Sequence, residues 1–200
     1  MRKLLNAALL MLFTVVAFAQ SAAKEKLAFD TPKSSIIAMD PARVDPSDLP
    51  LDRVDQLHLT GNPQEIPDIS TWRLAVTGKS LGRELSLSYA DLMALPMVKK
   101  RVLLICPGFF ADYVEWEGVS LSAVLTMAKA RPDFAGIAFR SYDGYTGRFS
   151  REEAMEHLLF LAVKVNGQTL PTVHGYPVRL VAEDLYGGRW VKWIAEIRVE

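Results

Sequence analysis

The sequence predicts an α+β domain that is mostly β, and three observations carry that expectation. Val191, Trp193, Ala195, Ile197 and Val199 alternate with Lys192, Glu196, Arg198 and Glu200, the period-two pattern of a strand with one buried face. Asn166-Gly167, between the apolar runs of 159–170, is a hairpin signal, because both residues tolerate the positive φ of a type I′ turn. The helical stretches are short, and each opens at a serine cap. Strands that outnumber short helices make an α+β domain.

The elements follow in order. Alternation in Trp72-Arg73-Leu74-Ala75-Val76 predicts a half-buried strand, with Gly78 and Gly82 marking the turn beyond it. Ser88 with Asp91 forms a capping box for a short helix that ends before Pro96. Residues 101–105 read as a compact apolar strand that stops at Cys106-Pro107-Gly108, which places the thiol at a sheet edge or loop mouth. Ser120 caps a helix whose stripe of Leu121, Val124, Leu125 and Ala128 belongs to the core. Ile137-Ala138-Phe139 is a strand leading into the loop Ser141-Tyr142-Asp143-Gly144-Tyr145. Ser150 with Glu153 is a second capping box, and 176–182 is a further strand. Residues 20–56, with Asp40-Pro41, Asp45-Pro46 and Leu49-Pro50, read as an irregular N-terminal arm wrapping one domain at 57–200.

The beginning of the chain has a different character. Arg2-Lys3, an apolar stretch over 4–18 and the pattern Ala17-Phe18-Ala19 have the layout of a Sec-type signal peptide, residues 1–19. The apolar run is short for a membrane span and lacks a stop-transfer flank. An exported, periplasmic protein is the expectation. Removing Arg2 and Lys3 leaves 23 − 2 = 21 basic residues against 23 acidic ones. That balance directs the chain to neither nucleic acid nor an anionic membrane.

A single cysteine in an exported protein needs a reason, since it cannot close an internal disulfide. Cys106 either packs as a small core hydrophobe or does chemistry as a thiolate. Lys99, Lys100 and Arg101 just before it add a reactive free thiol as a further reading. There is no nucleophile elbow, Walker loop, Rossmann glycine pattern or zinc spacing. His58, His157 and His174 are scattered and read as structural. What remains is an ordered set: Cys106, the loop 141–145, His174-Gly175-Tyr176-Pro177-Val178-Arg179, and Gly187-Gly188-Arg189-Trp190-Val191-Lys192-Trp193. A thiolate favours a soft metal. Arg179 and Lys192 suit a phosphate, unless they are solvated strand residues. Together these suit a metal carried on a phosphorylated organic cofactor.

The stretch His174-Gly175-Tyr176-Pro177-Val178-Arg179, a glycine turn and Val191-Lys192-Trp193 resemble the signature of the sulfite oxidase family of molybdenum enzymes. Leu57-His58-Leu59-Thr60-Gly61, Trp72-Arg73-Leu74 and Leu92-Met93-Ala94-Leu95-Pro96 are similar to its lead-in. Cys106 followed by Trp116-Glu117-Gly118-Val119 is similar to its central segment, so the likeness runs from Leu57 to the C-terminus. It implies the sulfite oxidase-type molybdopterin-binding fold and a molybdopterin cofactor carrying molybdenum. By position, it implies that Cys106 ligates the metal and that His174 and Arg179 hold the cofactor, Arg179 at the pterin phosphate. Trp190, Val191 and Lys192 would close over that phosphate, and Ser141 and Asp143 would meet the pterin. Tyr145 corresponds to an active-site tyrosine that donates a hydrogen bond to a substrate or metal oxygen; the alternative is a packed loop aromatic.

The resemblance implies an enzyme performing two-electron oxygen-atom transfer on a small substrate of sulfite or sulfoxide type. The chain has no Cys-x-x-Cys-His haem motif, so electrons would pass to an external cytochrome or membrane partner. Pro107-Gly108-Phe109-Phe110 stands where sulfite oxidases usually have a polar run, which predicts a more apolar substrate-side wall. The leader shows no twin arginine, the signal expected of a protein exported already folded around its cofactor. A second reading therefore stays open: an exported, cofactor-free module of this fold that binds an anion, a pterin or a partner protein.

Overall fold

The computed structural model describes residues 23–62 and 64–200; the expected signal peptide, 1–19, lies outside them. In chain order the elements are β1 (Glu25–Lys26), α1 (Lys33–Ile36), β2 (Val44–Asp45), β3 (Leu74–Thr77), β4 (Leu85–Leu87), α2 (Tyr89–Met93), β5 (Met97–Cys106) and β6 (Phe110–Ser120). They continue with α3 (Leu121–Met127), β7 (Gly136–Ser141), β8 (Thr146–Ser150), α4 (Arg151–Glu156), β9 (Leu159–Val165), β10 (Gln168–Thr169), β11 (Arg179–Ala182) and β12 (Ile194–Val199). The domain is α+β and mostly β. Among the described residues, no helix is long and apolar enough to cross a membrane.

Two five-stranded sheets share the main core. One runs β5-β6-β9, with β10 and β11 along the other edge of β9; the other runs β4-β3-β12-β7-β8, with β3 and β12 parallel. Trp72, just before β3, and Leu74 and Val76 of β3 belong to one buried cluster with Val114 and Trp116 of β6 and Phe160 and Val163 of β9. The helices sit where their caps put them. Ser88 and Asp91, and Ser150 and Glu153, exchange side-chain-to-backbone bonds reciprocally, and Ser120 accepts from the Ala123 N–H.

β5 explains why its apolar run does not alternate. Val102 and Leu104 face the main core, while Leu103 and Ile105 face a second one. The second core is supplied by the arm, whose Leu27, Ile36, Val44 and Leu49 pack on Leu103, Ile105, Ala111 and Tyr113. A strand buried on both faces reads as a continuous apolar run. Asp52 ties the arm down by accepting the Tyr113 N–H at 2.6 Å and pairing with Lys33 at 2.6 Å.

Several strand limits differ from the sequence expectation. β5 starts at Met97, because its ladder with β6 runs unbroken from Met97 opposite Val119 to Cys106 opposite Phe110. β11 starts only at Arg179, beyond Pro177, which has no N–H to give a ladder. β12 starts at Ile194, because Trp193 adopts φ 50° and breaks the extended run. The arm carries the short parallel pair β1-β2. At Gly118, β6 bulges so close to β9 that an added Cβ would lie 2.0 Å from the Leu161 carbonyl oxygen.

Candidate active site

β5 and β6 meet at a tight turn in which Phe109 N–H donates to Cys106 O at 3.0 Å and Gly108 takes φ 77°. Leu104, Cys106, Phe110, Asp112 and Trp116 project from this hairpin into a cavity of about 300 Å³. The rest of its lining comes from segment 57–61, the β7–β8 loop, His174, Arg179 and the stretch 187–193. Residues distant in sequence thus converge near the turn end of one hairpin.

Two cations, Arg179 and Lys192, line the cavity together with the carboxylates of Asp112 and Asp143. Arg179, 4% exposed, lies 4.7 Å from the Trp116 ring centroid and 5.4 Å from that of Trp190. Its guanidinium makes one hydrogen bond, from Nη1 to His174 O at 3.1 Å, and its Nε is buried without a partner. Burial pushes Arg179 down to about 10, against the pull of the Asp112 carboxylate. Lys192 donates to Thr60 O at 2.7 Å and Val173 O at 3.1 Å; burial, then Arg179, bring it down to about 8. His174 is pushed down to about 4 by burial, then by Arg179 and Lys192, and is neutral at pH 7. Gly175, at φ 113°, makes room for both stems, since a Cβ there would lie 2.9 Å from Arg179 Cβ and 3.2 Å from Lys192 Cβ.

The structure brings Cys106, Ser141, Asp143, Tyr145, His174, Arg179, Trp190 and Lys192 to this one cavity. Val191 is the exception. Its side chain is buried in the main core, and its carbonyl takes the Leu180 N–H at 2.7 Å, so only its backbone is near the site. Ser141 Oγ accepts from Asp143 N–H at 3.4 Å, and Asp143 Oδ1 from Tyr145 N–H at 2.9 Å, which fixes the loop. The Tyr145 hydroxyl donates to the Gly188 carbonyl. Trp190 Nε1 donates to Leu185 O at 3.1 Å.

Two readings of the Cys106 surroundings are corrected. Lys99 pairs with Glu115 at 2.9 Å and Lys100 with Glu183 at 2.7 Å, and Arg101 also faces Glu115, so none lines the cavity. Burial pushes the Cys106 thiol up, contrary to an activated free thiolate. Phe109 is 81% exposed and does not line the cavity, so of the Phe109-Phe110 pair only Phe110 contributes to its wall. The sequence reading also missed His58 and Asp112. They lie 54 residues apart, join at 2.7 Å and line the cavity, and no local pattern announces the pair.

A family model described as an oxidoreductase molybdopterin binding domain matches residues 61–200. The chain belongs to this family. Mitochondrial sulfite oxidase of Rattus norvegicus is 30% identical over 175 aligned residues, which take in 72% of this chain and 32% of the relative. The protein-methionine-sulfoxide reductase catalytic subunit MsrP of Gluconobacter oxydans is 29% identical over 146 residues, covering 64% of this chain and 46% of its own. A chain of the sulfane dehydrogenase SoxCD from Paracoccus pantotrophus superposes with a TM-score of 0.63 at 24% identity. That match covers 68% of this chain and 40% of the other, and shows a shared fold. The chain spans about a third of the length of the sulfite oxidases it matches.

The cavity of this molybdopterin-binding family member suits such a group. A buried guanidinium with a partnerless Nε is costly without an anion beside it. Cys106 is the soft donor, and among the described residues no cluster of three or more His, Cys, Asp or Glu could hold a bare metal ion. A metal at Cys106 would take its other ligands from the organic part of the cofactor.

Proposed function

We propose that this chain is a periplasmic molybdopterin-dependent oxidoreductase that transfers one oxygen atom to or from a small sulfur compound of sulfite or sulfoxide type. The observation that supports this most is the burial of Arg179, with one hydrogen bond, in the cavity that holds the only thiol of the chain. A buried cation needs an anion and a thiolate favours a soft metal, and a metal on a phosphorylated pterin answers both.

Arg179, His174 and Lys192 would hold the phosphate end, Trp190 would cover it, Ser141 and Asp143 would meet the pterin, and Cys106 would bind molybdenum. When bound, the group supplies two-electron redox chemistry that no side chain of the cavity offers. The part of the protein is binding, orientation and exclusion of water. Trp116 and Trp190 hold the guanidinium in one place, and two carbonyls hold the Lys192 ammonium. The Tyr145 hydroxyl, now donated to Gly188 O, is placed to turn to a substrate oxygen. Among the described residues Arg179 is the only arginine lining the cavity, and Phe110 stands beside Cys106, which favours an uncharged sulfoxide over a sulfite dianion. Electrons would come from an external cytochrome or membrane partner.

The test is to express residues 20–200 in a cytoplasm that makes the cofactor, then measure molybdenum and pterin per chain. Near-stoichiometric loading with sulfoxide reduction from a reduced dye is expected. A chain that takes up no molybdenum, yet binds sulfate in the cavity, is the cofactor-free module instead.

A further inference from the structure

His58 has no part in the reading above, yet its ring is held at the cavity by three contacts. Its backbone N–H donates to Asp112 Oδ2 at 3.0 Å, and its Nδ1 lies 2.7 Å from Asp112 Oδ1. Both bonds end on one carboxylate of β6, whose side chain is 8% exposed. The imidazole also lies flat on Phe110, with centroids 4.7 Å apart and planes within 10°. Because a carboxylate can only accept, Nδ1 carries the proton and Nε2 is the free nitrogen. The side chain is 54% exposed, so this nitrogen exchanges with solvent while lining the cavity beside Cys106 and Phe110.

The sulfoxide chemistry requires such a group. In R₂SO + 2H⁺ + 2e⁻ → R₂S + H₂O, the S–O bond breaks, sulfur takes two electrons from the external carrier, and oxygen leaves with two protons. Besides His58 and its partner Asp112, whose carboxylate is taken up by the His58 N–H and Nδ1, the titratable groups lining the cavity are Cys106, Asp143, Tyr145, His174, Arg179 and Lys192. Each is otherwise engaged. Asp143 accepts the Tyr145 N–H, Lys192 donates to two carbonyls, and the Tyr145 hydroxyl, which donates to Gly188 O, has above the role of a hydrogen-bond donor to the substrate oxygen and not of a proton source. Arg179 is a permanent cation at neutral pH, His174 is buried and neutral, and Cys106 is taken up by the metal in the proposed function. An imidazole with a free nitrogen is the side chain suited to proton transfer near neutral pH.

We propose that His58, oriented by Asp112, is the proton-transfer residue of this cavity. Nε2 first takes a proton from solvent, giving an imidazolium whose Nδ1–H stays on Asp112. That Nε2 proton passes to the substrate oxygen as the S–O bond breaks, the second proton comes from solvent at the mouth, and Nε2, bare again, is reprotonated from solvent. Asp112 is a positioning residue that sets the tautomer and the ring angle. The proposal rests on the oxygen-transfer reading above, and its test separates the two.

The test uses molybdenum-loaded enzyme with dimethyl sulfoxide and a reduced viologen dye, in wild type, His58→Gln, His58→Ala and Asp112→Asn. Both His58 variants should keep wild-type molybdenum content and lose about 100-fold in kcat with KM little changed. The loss of activity as pH rises, due to deprotonation of the acid, should vanish from their kcat profiles, and added imidazole should rescue His58→Ala. In cofactor-free protein, ¹⁵N shifts should show Nδ1–H with bare Nε2 at alkaline pH, and Asp112→Asn should mix the tautomers. Unchanged kcat and pH profile in the His58 variants would overturn the proposal. So would loss of molybdenum from those variants alone, which would make His58 a cofactor holder and leave the oxygen-transfer reading intact. Wild-type protein that takes up no molybdenum would sink both.

Discussion

Arg179 Nη1 donates to the carbonyl of His174, five residues earlier, at 3.1 Å, while the Nε of the same guanidinium is buried with no partner. The turn that ends at Gly175 therefore holds a charge that nothing among the described residues neutralises directly. Each of the two cation–π contacts, with Trp116 and with Trp190, offsets on the order of 2 kcal/mol at a buried site. Desolvation of an unpaired ion costs several kcal/mol, so the balance favours an arrangement kept for binding.

That balance makes Arg179→Met informative. In cofactor-free protein the variant should be as stable as wild type or more so, because a stem of similar volume replaces a buried charge. Its affinity for sulfate or for cofactor should fall about 10- to 100-fold, the loss of a charge-assisted contact. Thermal melting and calorimetric titration give the two numbers. A variant that melts much lower yet binds normally would make Arg179 a structural residue.

Lys192 gives the site a pH dependence. With its free-protein value near 8, it is charged below that pH and neutral above it. An anion prefers the charged form, so affinity should fall as pH rises through about 8. Sulfate is the suitable probe, because its own charge stays constant there. In Lys192→Gln the affinity should be lower and nearly flat across the same range. A wild-type affinity that does not change between pH 7 and 9.5 would move Lys192 out of the anion site.

His174 should register in stability. Its folded value, about 4, lies below the ordinary 6.5, so between those limits the unfolded chain binds the extra proton. The resulting stability is fully present above pH 6.5 and is lost as pH falls toward 4. The urea midpoint of wild type should therefore fall relative to that of His174→Gln as the pH is lowered through that window. The carboxylates also titrate there, but they do so in both proteins and cancel in the difference.

The serine caps and the Asn166-Gly167 turn were legible because each signal lies within a few residues of its partner. β6 was not. It is buried on both faces, carries Asp112 and Glu115 within an apolar run, and so matches neither periodicity. The end of β12 read true and its beginning did not, since the φ of Trp193 follows from tertiary contacts such as Nε1 donating to Thr172 O at 2.6 Å. The site divides in the same way. Arg179 and Lys192 stand out by residue type, whereas His58 gains its meaning from an aspartate on a distant strand.

Cys106→Ser separates the enzyme from the cofactor-free module. The thiol is partly buried at the end of β5, and serine is nearly isosteric, so the fold should survive with little change in melting temperature. Sulfate binding should also survive, because Arg179, His174 and Lys192 are untouched. A soft sulfur donor replaced by a hydroxyl alters a molybdenum site directly. In loaded protein, sulfoxide reduction should therefore collapse while pterin, held through its phosphate, stays bound. In the module, the same substitution would change nothing that a binding assay reads. Protein purified with molybdenum, in which Cys106→Ser keeps full turnover, would show that Cys106 is not the metal ligand, even though the rest of the cavity still holds the cofactor.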